Sequence, residues 1–250
     1  MGRPVVLVTG GSRGIGAAVA QRAAARGYDV AITYRSERAD AERVVAACRA
    51  AGAEACAIAG ELAREADIVG FFDEAARQLG PIRHVVNNAG ITGRSSRLDA
   101  ADPAVIRACI DVNVTGAILV AREAARRLST RNGGPGGSIV NISSVAAGLG
   151  SPGEYVWYAA SKGAIDSLTI GLAKELATEG VRVNAVSPGM VQTDIHDRST
   201  GDPDRVERIR PHIPMQRIGE PHEIAEAVLF LMSDGASYTT GANIRVTGGR

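Results

Sequence analysis

Short apolar runs rich in β-branched residues alternate with longer alanine-rich stretches along the whole chain. Strands buried on both faces of a sheet have this continuous apolar composition, and their alternation with helices indicates parallel strands joined by right-handed crossovers. The pattern predicts a single α/β domain over residues 1–250, a doubly wound seven-stranded parallel sheet with helices on both faces. The predicted strands are VVLV (5–8), VAIT (30–33), a weaker AEACAI (53–58), HVVN (84–87), SIVNI (138–142), VRVNAV (181–186) and ANIRV (242–246). The predicted helices lie near 14–26, 37–51, 64–79, 103–131, 155–179 and 221–233.

The composition argues against several classes of protein. The formal net charge is +1 and the pI is about 7.8, whereas binding to nucleic acid or acidic membranes usually shows as a clustered basic excess. No apolar run approaches the roughly 18 residues needed to span a bilayer. The three cysteines are scattered, which argues against a disulfide framework or a zinc site, and the four histidines lack metal-ligand spacing. We therefore expect a cytoplasmic protein without a bound metal.

The first predicted strand runs directly into TGGSRGIG (9–16), whose glycines at 10, 14 and 16 precede an alanine-rich helix. Glycine lets a backbone turn sharply and approach a phosphate closely, and a helix N-terminus presents free N–H groups to an anion. The spacing G-x-x-x-G-x-G differs from the standard dinucleotide fingerprint G-x-G-x-x-G. Because 30 glycines make accidental spacings common, a tight turn without a ligand is the alternative to a pyrophosphate site.

The chain has two lysines against 26 arginines, and Lys162 follows Tyr158 by four residues in a predicted helix. Side chains four apart lie on the same face of a helix, so both can reach one site. A free phenol has a pKa of about 10, and a nearby ammonium lowers that pKa towards a value useful for acid–base chemistry. The pattern predicts a catalytic pair, with an exposed pair without function as the alternative. Tyr155 is the competing tyrosine, but Ala159 stands four residues after it.

Further motifs follow the glycine loop: NNAG (87–90), Asn113, Ser144 in NISS (141–144), then Tyr158 and Lys162. Together with NAVSPG (184–189) and ASYTTGANIRVTGG (236–249), they resemble the short-chain dehydrogenase/reductase family over Val5 to Gly249. Within that family the chain is most similar to the branch of bacterial 3-oxoacyl-carrier-protein reductases and glucose 1-dehydrogenases. The resemblance implies a Rossmann fold, NAD or NADP as cofactor, and a homo-tetramer.

The resemblance also implies roles for single residues. Tyr158 is then the general acid/base, Lys162 also hydrogen-bonds the nicotinamide ribose, and Ser144 donates to the substrate oxygen. Asn113 holds a water that extends a proton relay to the lysine. In the alternative, the serines merely end a strand and Asn113 is an exposed helix residue. The implied cofactor contacts are Gly10, Ser12, Arg13, Gly14, Ile15, Gly16, Arg35, Leu62, Asn88, Ala89, Gly90, Tyr158, Lys162, Pro188, Gly189 and Thr193.

At two places the chain departs from the family pattern. An aspartate is common near the start of the fourth strand, where this chain has Arg83 and His84. An aspartate followed by an apolar residue is common beside the adenine, where this chain has Glu61 and Leu62. The longer glutamate leaves the adenine contact open.

The residues after the second strand favour NADP over NAD. A NAD enzyme usually has an acid about twenty residues beyond the glycines, where it binds the ribose 2′-hydroxyl. Here Tyr34 and Arg35 occupy that place, and the first acid is Glu37. Arg35 and Arg13 offer charge-assisted hydrogen bonds to a 2′-phosphate. Two solvated surface arginines are the alternative, and use of both cofactors remains open.

Residues 190–220 are irregular, and a long segment near the carboxyl end of a strand is a candidate substrate lid. Its Asp194, His196, Asp197 and Arg198 make part of the expected pocket wall polar, and the chain has few aromatic residues. We therefore expect a polar sugar-like or short acyl carbonyl to be preferred over a steroid.

These patterns together predict an oxidoreductase that transfers a hydride between NADP(H) and a secondary alcohol or ketone. A non-catalytic redox sensor that binds the dinucleotide is the alternative; it predicts loss of Tyr158 or Lys162, and both are present. Helices 103–128 and 155–177 have apolar or small residues on more than one face, which a monomer would expose. We therefore expect a homo-tetramer, with a small molecule as substrate and neither nucleic acid nor membrane as partner.

Overall fold

Seven parallel strands form one sheet in the order β3-β2-β1-β4-β5-β6-β7 in the computed structural model, which describes residues 2–193 and 204–250. The predicted fold is therefore confirmed. Each predicted strand overlaps an observed one, and their ends differ by at most two residues. The strands are β1 (Val5–Val8), β2 (Asp29–Tyr34), β3 (Ala55–Ala59), β4 (Ile82–Asn87), β5 (Gly137–Ile142), β6 (Val181–Pro188) and β7 (Asn243–Val246).

Helices cover both faces of the sheet. Val6 and Val8 of β1 lie in the hydrophobic core on one face of the sheet, which is covered by the helices Gly14–Ala25, Arg38–Ala50 and Pro221–Met232. Val5 and Leu7 lie in the core on the other face, because successive residues of a strand point to opposite sides. The helices are α1 (Gly14–Ala25), α2 (Arg38–Ala50), α3 (Glu65–Leu79), α4 (Pro103–Ile110), α5 (Ala117–Leu128), α6 (Ala146–Leu149), α7 (Val156–Leu176), α8 (Arg205–Ile209) and α9 (Pro221–Met232).

The strand order reverses between β1 and β4. From β1 the chain builds outwards through β2 and β3, then returns to place β4 on the other side of β1. A crevice opens at such a switch point, outside the carboxyl ends of the two strands, and ligands bind there in open α/β sheets. The loop after β1 is the glycine-rich TGGSRGIG, and the turn after β4 is NNAG. Both motifs therefore border one crevice.

The helix predicted over 103–131 is interrupted. A π-helical turn, Asp111–Gly116, separates α4 from α5, and α5 ends at Leu128. Hydrophobic periodicity does not reveal such a turn, because one widened turn shifts the apolar face by a fraction of a turn only. π-turns are rare and frequently lie at functional sites, and this one contains Asn113.

The 26-residue stretch Pro103–Leu128 has a high average hydropathy, although no uninterrupted apolar run within it is long. Its best window has a mean hydropathy of 1.7, and by length and composition alone it could cross a membrane. Val120, Ala124 and Leu128 pack in the core beneath the sheet, so this stretch forms part of the helical layer. Only a third of the window is buried, which leaves apolar surface outside the core, Ile118 included.

Candidate active site

The loop after β1 has a backbone that strongly favours glycine. Gly10 and Gly14 adopt φ of +64° and +54°, in the left-handed region that favours glycine. A Cβ at Gly16 would lie 2.3 Å from the carbonyl oxygen of Gly10, which is backbone and cannot move aside. Helix α1 begins at Gly14, so its N-terminus points into this loop. The geometry is that of an anion cradle rather than of an ordinary turn.

The NNAG turn holds this loop in place. The Asn88 side-chain amide donates to the carbonyl oxygens of Thr9 at 2.9 Å and Gly10 at 3.1 Å. The backbone N–H groups of Asn88 and Ala89 donate in return to the Thr9 hydroxyl, at 3.0 and 3.1 Å. Thr9 is fully buried, and sequence analysis did not single it out. The feature of the sequence that could have pointed to Thr9 is its hydroxyl, which lies between the apolar strand and the first glycine.

Arg13 and Arg35 differ in their surroundings at the corner expected to bind a 2′-phosphate. Arg13 is paired with Glu37, with Nη1 and Oε1 3.0 Å apart. Arg35 is exposed, and among the described residues no carboxylate forms an ion pair with it. Glu37, the first acid after the second strand, is therefore already bonded to one of the two arginines.

Tyr158, Ser144 and Lys162 converge just beyond the carboxyl end of β5. Tyr158 and Lys162 lie one turn apart in α7, and the lysine Nζ is 5.7 Å from the centre of the tyrosine ring. Ser144 acts on the phenol and lowers its pKa, and its Oγ accepts from the Ala146 N–H at 3.1 Å. Ser143 instead donates to the Lys162 carbonyl oxygen at 3.2 Å and is buried. The two serines thus have different surroundings, and Ser144 is the one beside the phenol.

Lys162 is buried, with 5% of its surface exposed. Its Nζ donates to the carbonyl oxygen of Ile142 at 2.7 Å, and burial lowers the pKa of its ammonium to about 8. A Cβ at Gly90 would lie 3.6 Å from Nζ and 3.2 Å from the Asn113 oxygen. The NNAG turn therefore passes directly beside the lysine, and the dinucleotide crevice and the Tyr158 site are contiguous.

Burial raises the pKa of Tyr158 to about 12, above the value of a free phenol. The hydrogen bond from Ser144 and the positive charge of Arg205 oppose this rise. Sequence analysis predicted that Lys162 lowers this pKa. In the structure the groups that lower it are instead Ser144 and Arg205, and Arg205 is 47 residues away along the chain.

Asn113 is buried in the π-turn, and both ends of its side-chain amide are bonded. Its Oδ1 accepts from the Ile91 N–H, and its Nδ2 donates to the Ile91 carbonyl, both at 2.8 Å. Nδ2 also contacts the Ser161 hydroxyl at 3.1 Å and the Cys109 sulfur at 3.3 Å. Asn113 is therefore not an exposed helix residue. It clamps the chain just after NNAG.

The remaining predicted cofactor residues border the crevice to different degrees. Thr193 lies against the glycine loop, since a Cβ at Gly14 would be 3.3 Å from its methyl group. Gly189 follows Pro188 at the end of β6, so tightly packed that a Cβ there would lie 2.9 Å from Thr247 Cα. Leu62 instead packs its side chain into the core, so a nucleotide can reach it mainly through its backbone. Ser12, Ile15 and Ala89 lie in or beside the loops described above.

The two departures from the family pattern have structural explanations. His84 is buried and its Nδ1 is 2.9 Å from the Ser138 hydroxyl, at the amino end of β4 and away from the crevice. Glu61 donates its backbone N–H to Asp67 at 2.8 Å and pairs with Arg64 at the surface. Of the predicted lid, 190–193 and 204–220 are described; Asp194, His196, Asp197 and Arg198 lie outside the described residues. Within the described chain, no cluster of three or more His, Cys, Asp or Glu side chains could hold a metal.

Comparison with known proteins agrees with this geometry. The family model described as enoyl-(acyl carrier protein) reductase matches residues 10–250. The chain is 46% identical to the uncharacterized oxidoreductase YgfF of Escherichia coli, over 98% of this chain and 99% of that protein. It is similar to the 3-ketoacyl-(acyl-carrier-protein) reductase of Brucella melitensis, solved with NADH (34% identity, TM-score 0.91, 99% and 98% of the two chains). It is equally similar to a short-chain dehydrogenase of Burkholderia cenocepacia solved with NADP (37% identity, TM-score 0.90, 99% and 97%).

The fold and these relatives define the class as dinucleotide-linked oxidoreductases. The chain belongs to the short-chain dehydrogenase/reductase family.

Proposed function

We propose that the protein transfers a hydride between NADP(H) and a secondary alcohol or ketone, with Tyr158 as the general acid/base. The observation that carries this proposal is the convergence of Tyr158, Ser144 and Lys162 beside the glycine cradle. The cradle fits a dinucleotide, since a Cβ at Gly16 would strike the Gly10 carbonyl and the N–H groups at the start of α1 suit a pyrophosphate. When bound there, the nicotinamide supplies the hydride.

Proton transfer belongs to the chain's own residues. In reduction, Ser144 donates a hydrogen bond to the carbonyl oxygen and stabilises the negative charge that develops on it. Tyr158 gives its phenolic proton to the same oxygen, and takes it back when an alcohol is oxidised. Lys162, fixed by the Ile142 carbonyl, favours the phenolate that remains. Asn113 holds the turn at Ile91, and its part in a water relay remains a prediction.

For the cofactor we propose NADP over NAD, with Arg35 as the main partner of the 2′-phosphate. Arg35 is exposed at the end of β2, whereas Arg13 must first exchange its bond to Glu37. Glu37 thus competes with the phosphate for Arg13, and it also offers an acceptor to a ribose hydroxyl. This balance makes some use of NADH an expected property of the wild type.

The cofactor proposal is tested by dissociation constants for NADPH and NADH in three variants. Arg35→Asp should reverse the preference, and Glu37→Gln should strengthen NADPH binding several-fold by releasing Arg13. Arg43→Gln, which changes an exposed arginine of α2 paired with Asp40, is the matched control and should leave both constants unchanged. Equal binding of the two cofactors in the wild type and in Arg35→Asp would contradict the assignment.

For the substrate we propose a short acyl or polar, sugar-like carbonyl. Tyr155 and Trp157, the aromatic residues nearest Tyr158 in sequence, are buried and so offer little flat apolar surface to a steroid. The related Brucella melitensis protein is a 3-ketoacyl reductase, which supports the acyl class. A screen of 3-oxoacyl thioesters, sugars, short ketones and steroids, followed at the nicotinamide absorbance band, tests this ranking. A steroid preferred tenfold in kcat/KM would overturn it, and NADPH binding without any turnover would favour the redox-sensor alternative.

We also propose a homo-tetramer in the cytoplasm. Ile118 of α5 and Ile170 of α7 are exposed by 43% and 49%, on helices whose other faces pack on the sheet. Exposed apolar faces of this kind mark protein interfaces, and small residues let helices approach across a two-fold axis. Light scattering at micromolar concentration should give four times the chain mass, and a monomeric mass would contradict the assignment.

A further inference from the structure

A buried arginine connects helix α8 to the residues just ahead of the helix that contains Tyr158. Arg205 begins α8 and is 4% exposed, although arginine is rarely buried without partners. Its Nε and Nη2 donate to the two carboxylate oxygens of Glu154, at 3.2 and 2.7 Å. Its Nη1 lies 3.6 Å from the sulfur of Met190. Paired bonds to one carboxylate fix the orientation of the guanidinium as well as its position.

The same guanidinium holds the ring next to the catalytic tyrosine. Arg205 donates to the Tyr155 hydroxyl, and its Cζ is 5.6 Å from the centre of that ring. The Tyr155 ring packs edge-on against Tyr158, with centroids 5.4 Å apart and planes at 84°. Tyr155 is thus a buried contact of Tyr158 rather than a second acid/base. A chain of direct contacts runs from Glu154 through Arg205 and Tyr155 to Tyr158.

Arg205 also acts on Tyr158 through its charge. Its guanidinium lowers the pKa of the phenol, as does the Ser144 hydrogen bond, while burial and Cys109 raise it. Lys162 faces the same ring at 5.7 Å. Arg205 is bonded to an ionised Glu154: burial acts to raise the pKa of that carboxyl, but Arg205, the Tyr155 hydroxyl and Arg208 together lower it below its usual value.

We propose that Arg205 is a positioning residue for Tyr158: together with Glu154 it fixes the Tyr155 ring against the catalytic ring and keeps a positive charge beside the phenol. This inference rests on the proposed function, since it concerns Tyr158 as the general acid/base. It assigns to α8 a part in proton transfer. Ile209 at the end of α8 and Ile213 just beyond it pack with Met190 in one buried cluster, which anchors the helix in this position.

The first test compares Arg205→Met with Arg208→Met. Arg208 lies on the same helix and faces the same Glu154 at 3.9 Å, but its side chain is 58% exposed, so it is the matched control. We expect Arg205→Met to lose at least tenfold in kcat with less than a threefold change in KM for NADPH, and Arg208→Met to stay within twofold. In alcohol oxidation, the pH at which kcat/KM reaches half its maximum should rise in Arg205→Met alone. Unchanged kcat in a folded Arg205→Met would overturn the proposal.

The second test separates positioning from stability. Removing Arg205 alone leaves a half-buried carboxylate without its main partner, which destabilises the fold. In the double variant Glu154→Gln/Arg205→Met that charge is gone. We expect the double variant to regain thermal stability but not kcat, because Tyr158 still lacks the charge and the fixed Tyr155 ring. Arg205→Lys, which keeps the charge, should recover part of kcat and the wild-type pH profile. Recovery of kcat together with stability in the double variant would show a merely structural role.

Failure of this proposal can be told apart from failure of the proposed function. If the wild type turns over carbonyls and Tyr158→Phe does not, the proposed function holds whatever Arg205→Met does. If the wild type turns over nothing with either cofactor, the proposed function fails. The packing claim is then decided by NMR of ring-labelled tyrosine, in which the Tyr158 signals should shift in Arg205→Met and not in Arg208→Met. Unchanged Tyr158 signals would overturn that claim as well.

Discussion

Polar groups are buried at both ends of strand β4, but the surroundings of these groups differ. At the amino end, His84 bonds the Ser138 hydroxyl and stacks edge-on with Tyr28, with ring centroids 5.4 Å apart. Burial lowers the pKa of His84 to about 4, so the ring is neutral and without contact to the crevice. At the carboxyl end, the turn with Gly90 passes beside the ammonium of Lys162. Burial lowers the pKa of Lys162 to about 8, which is close to neutral pH.

A shifted pKa does not by itself identify a functional group at either end of β4. Both His84 and Lys162 have pKa values lowered by burial, and perturbed values alone would mark both as candidates for function. Each of the two has a tyrosine and a serine near it, but only Lys162 adjoins the glycine-containing turn that borders the crevice. The proposed function therefore rests on the groups that converge at the carboxyl edge of the sheet. Substitutions at the two ends of β4 should therefore have different consequences for activity.

Tyr158→Phe should lower kcat by about 10³-fold, within the usual range for removal of a general acid/base. The ring and its packing against Tyr155 remain, so NADPH affinity and the thermal midpoint should change little. Turnover and cofactor fluorescence titration measure the two quantities separately. A variant that keeps a tenth of the wild-type kcat would remove Tyr158 from the chemistry.

Gly16→Ala should destabilise the protein by about 3 kcal/mol and abolish NADPH binding, because the new methyl group strikes the Gly10 carbonyl. Gly70→Ala is its control. Gly70 lies in α3 with open space around a Cβ, so alanine there should stabilise by about 0.5–1 kcal/mol. Urea unfolding measures both changes. Wild-type stability and NADPH binding in Gly16→Ala would show that the loop does not need its glycine.

His84→Gln should reduce the amount by which the free energy of unfolding falls in acid, and it should leave activity unchanged. The folded pKa is about 4 against about 6.5 in the unfolded chain, so the unfolded state binds more protons between these values. Stability from a neutral His84 is complete above pH 6.5 and falls by roughly 3 kcal/mol as pH drops to 4. Urea unfolding of both proteins across this window gives the difference. Parallel pH dependences would show that His84 titrates normally.

Lys162→Arg should lower kcat more than tenfold, a loss of over ~1.4 kcal/mol, although the charge is kept. A planar guanidinium cannot repeat the single short bond to the Ile142 carbonyl within the buried space beside Gly90. Initial rates at saturating cofactor measure the effect. Activity close to wild type would mean that any cation suffices at this position.

The carboxyl-edge motifs were predictable because their constraints are local. The glycines of the β1 loop act within seven residues, and Tyr158 with Lys162 shares one helical turn. The apolar runs located every strand, since a parallel sheet buries both faces of each strand.

Longer-range features were not predictable. Arg205 and Glu154 are 51 residues apart, and nothing near either residue in sequence indicates the partner. The π-turn at Asn113 leaves hydrophobic periodicity almost intact. The orientation of Leu62 into the core depends on the packing of α3 and α5, which spacing rules do not describe.

The most direct test of Tyr158-dependent hydride transfer uses NADPH with both hydrogens of the reactive nicotinamide carbon replaced by deuterium, and follows deuterium into a ketone that the enzyme accepts. The account predicts an alcohol with one deuterium on its carbinol carbon in the wild type and in His84→Gln, and no labelled alcohol above about a thousandth of that rate in Tyr158→Phe. Labelled alcohol formed equally well by Tyr158→Phe, or NADPH bound by the wild type with no deuterium transferred to any carbonyl, would contradict it.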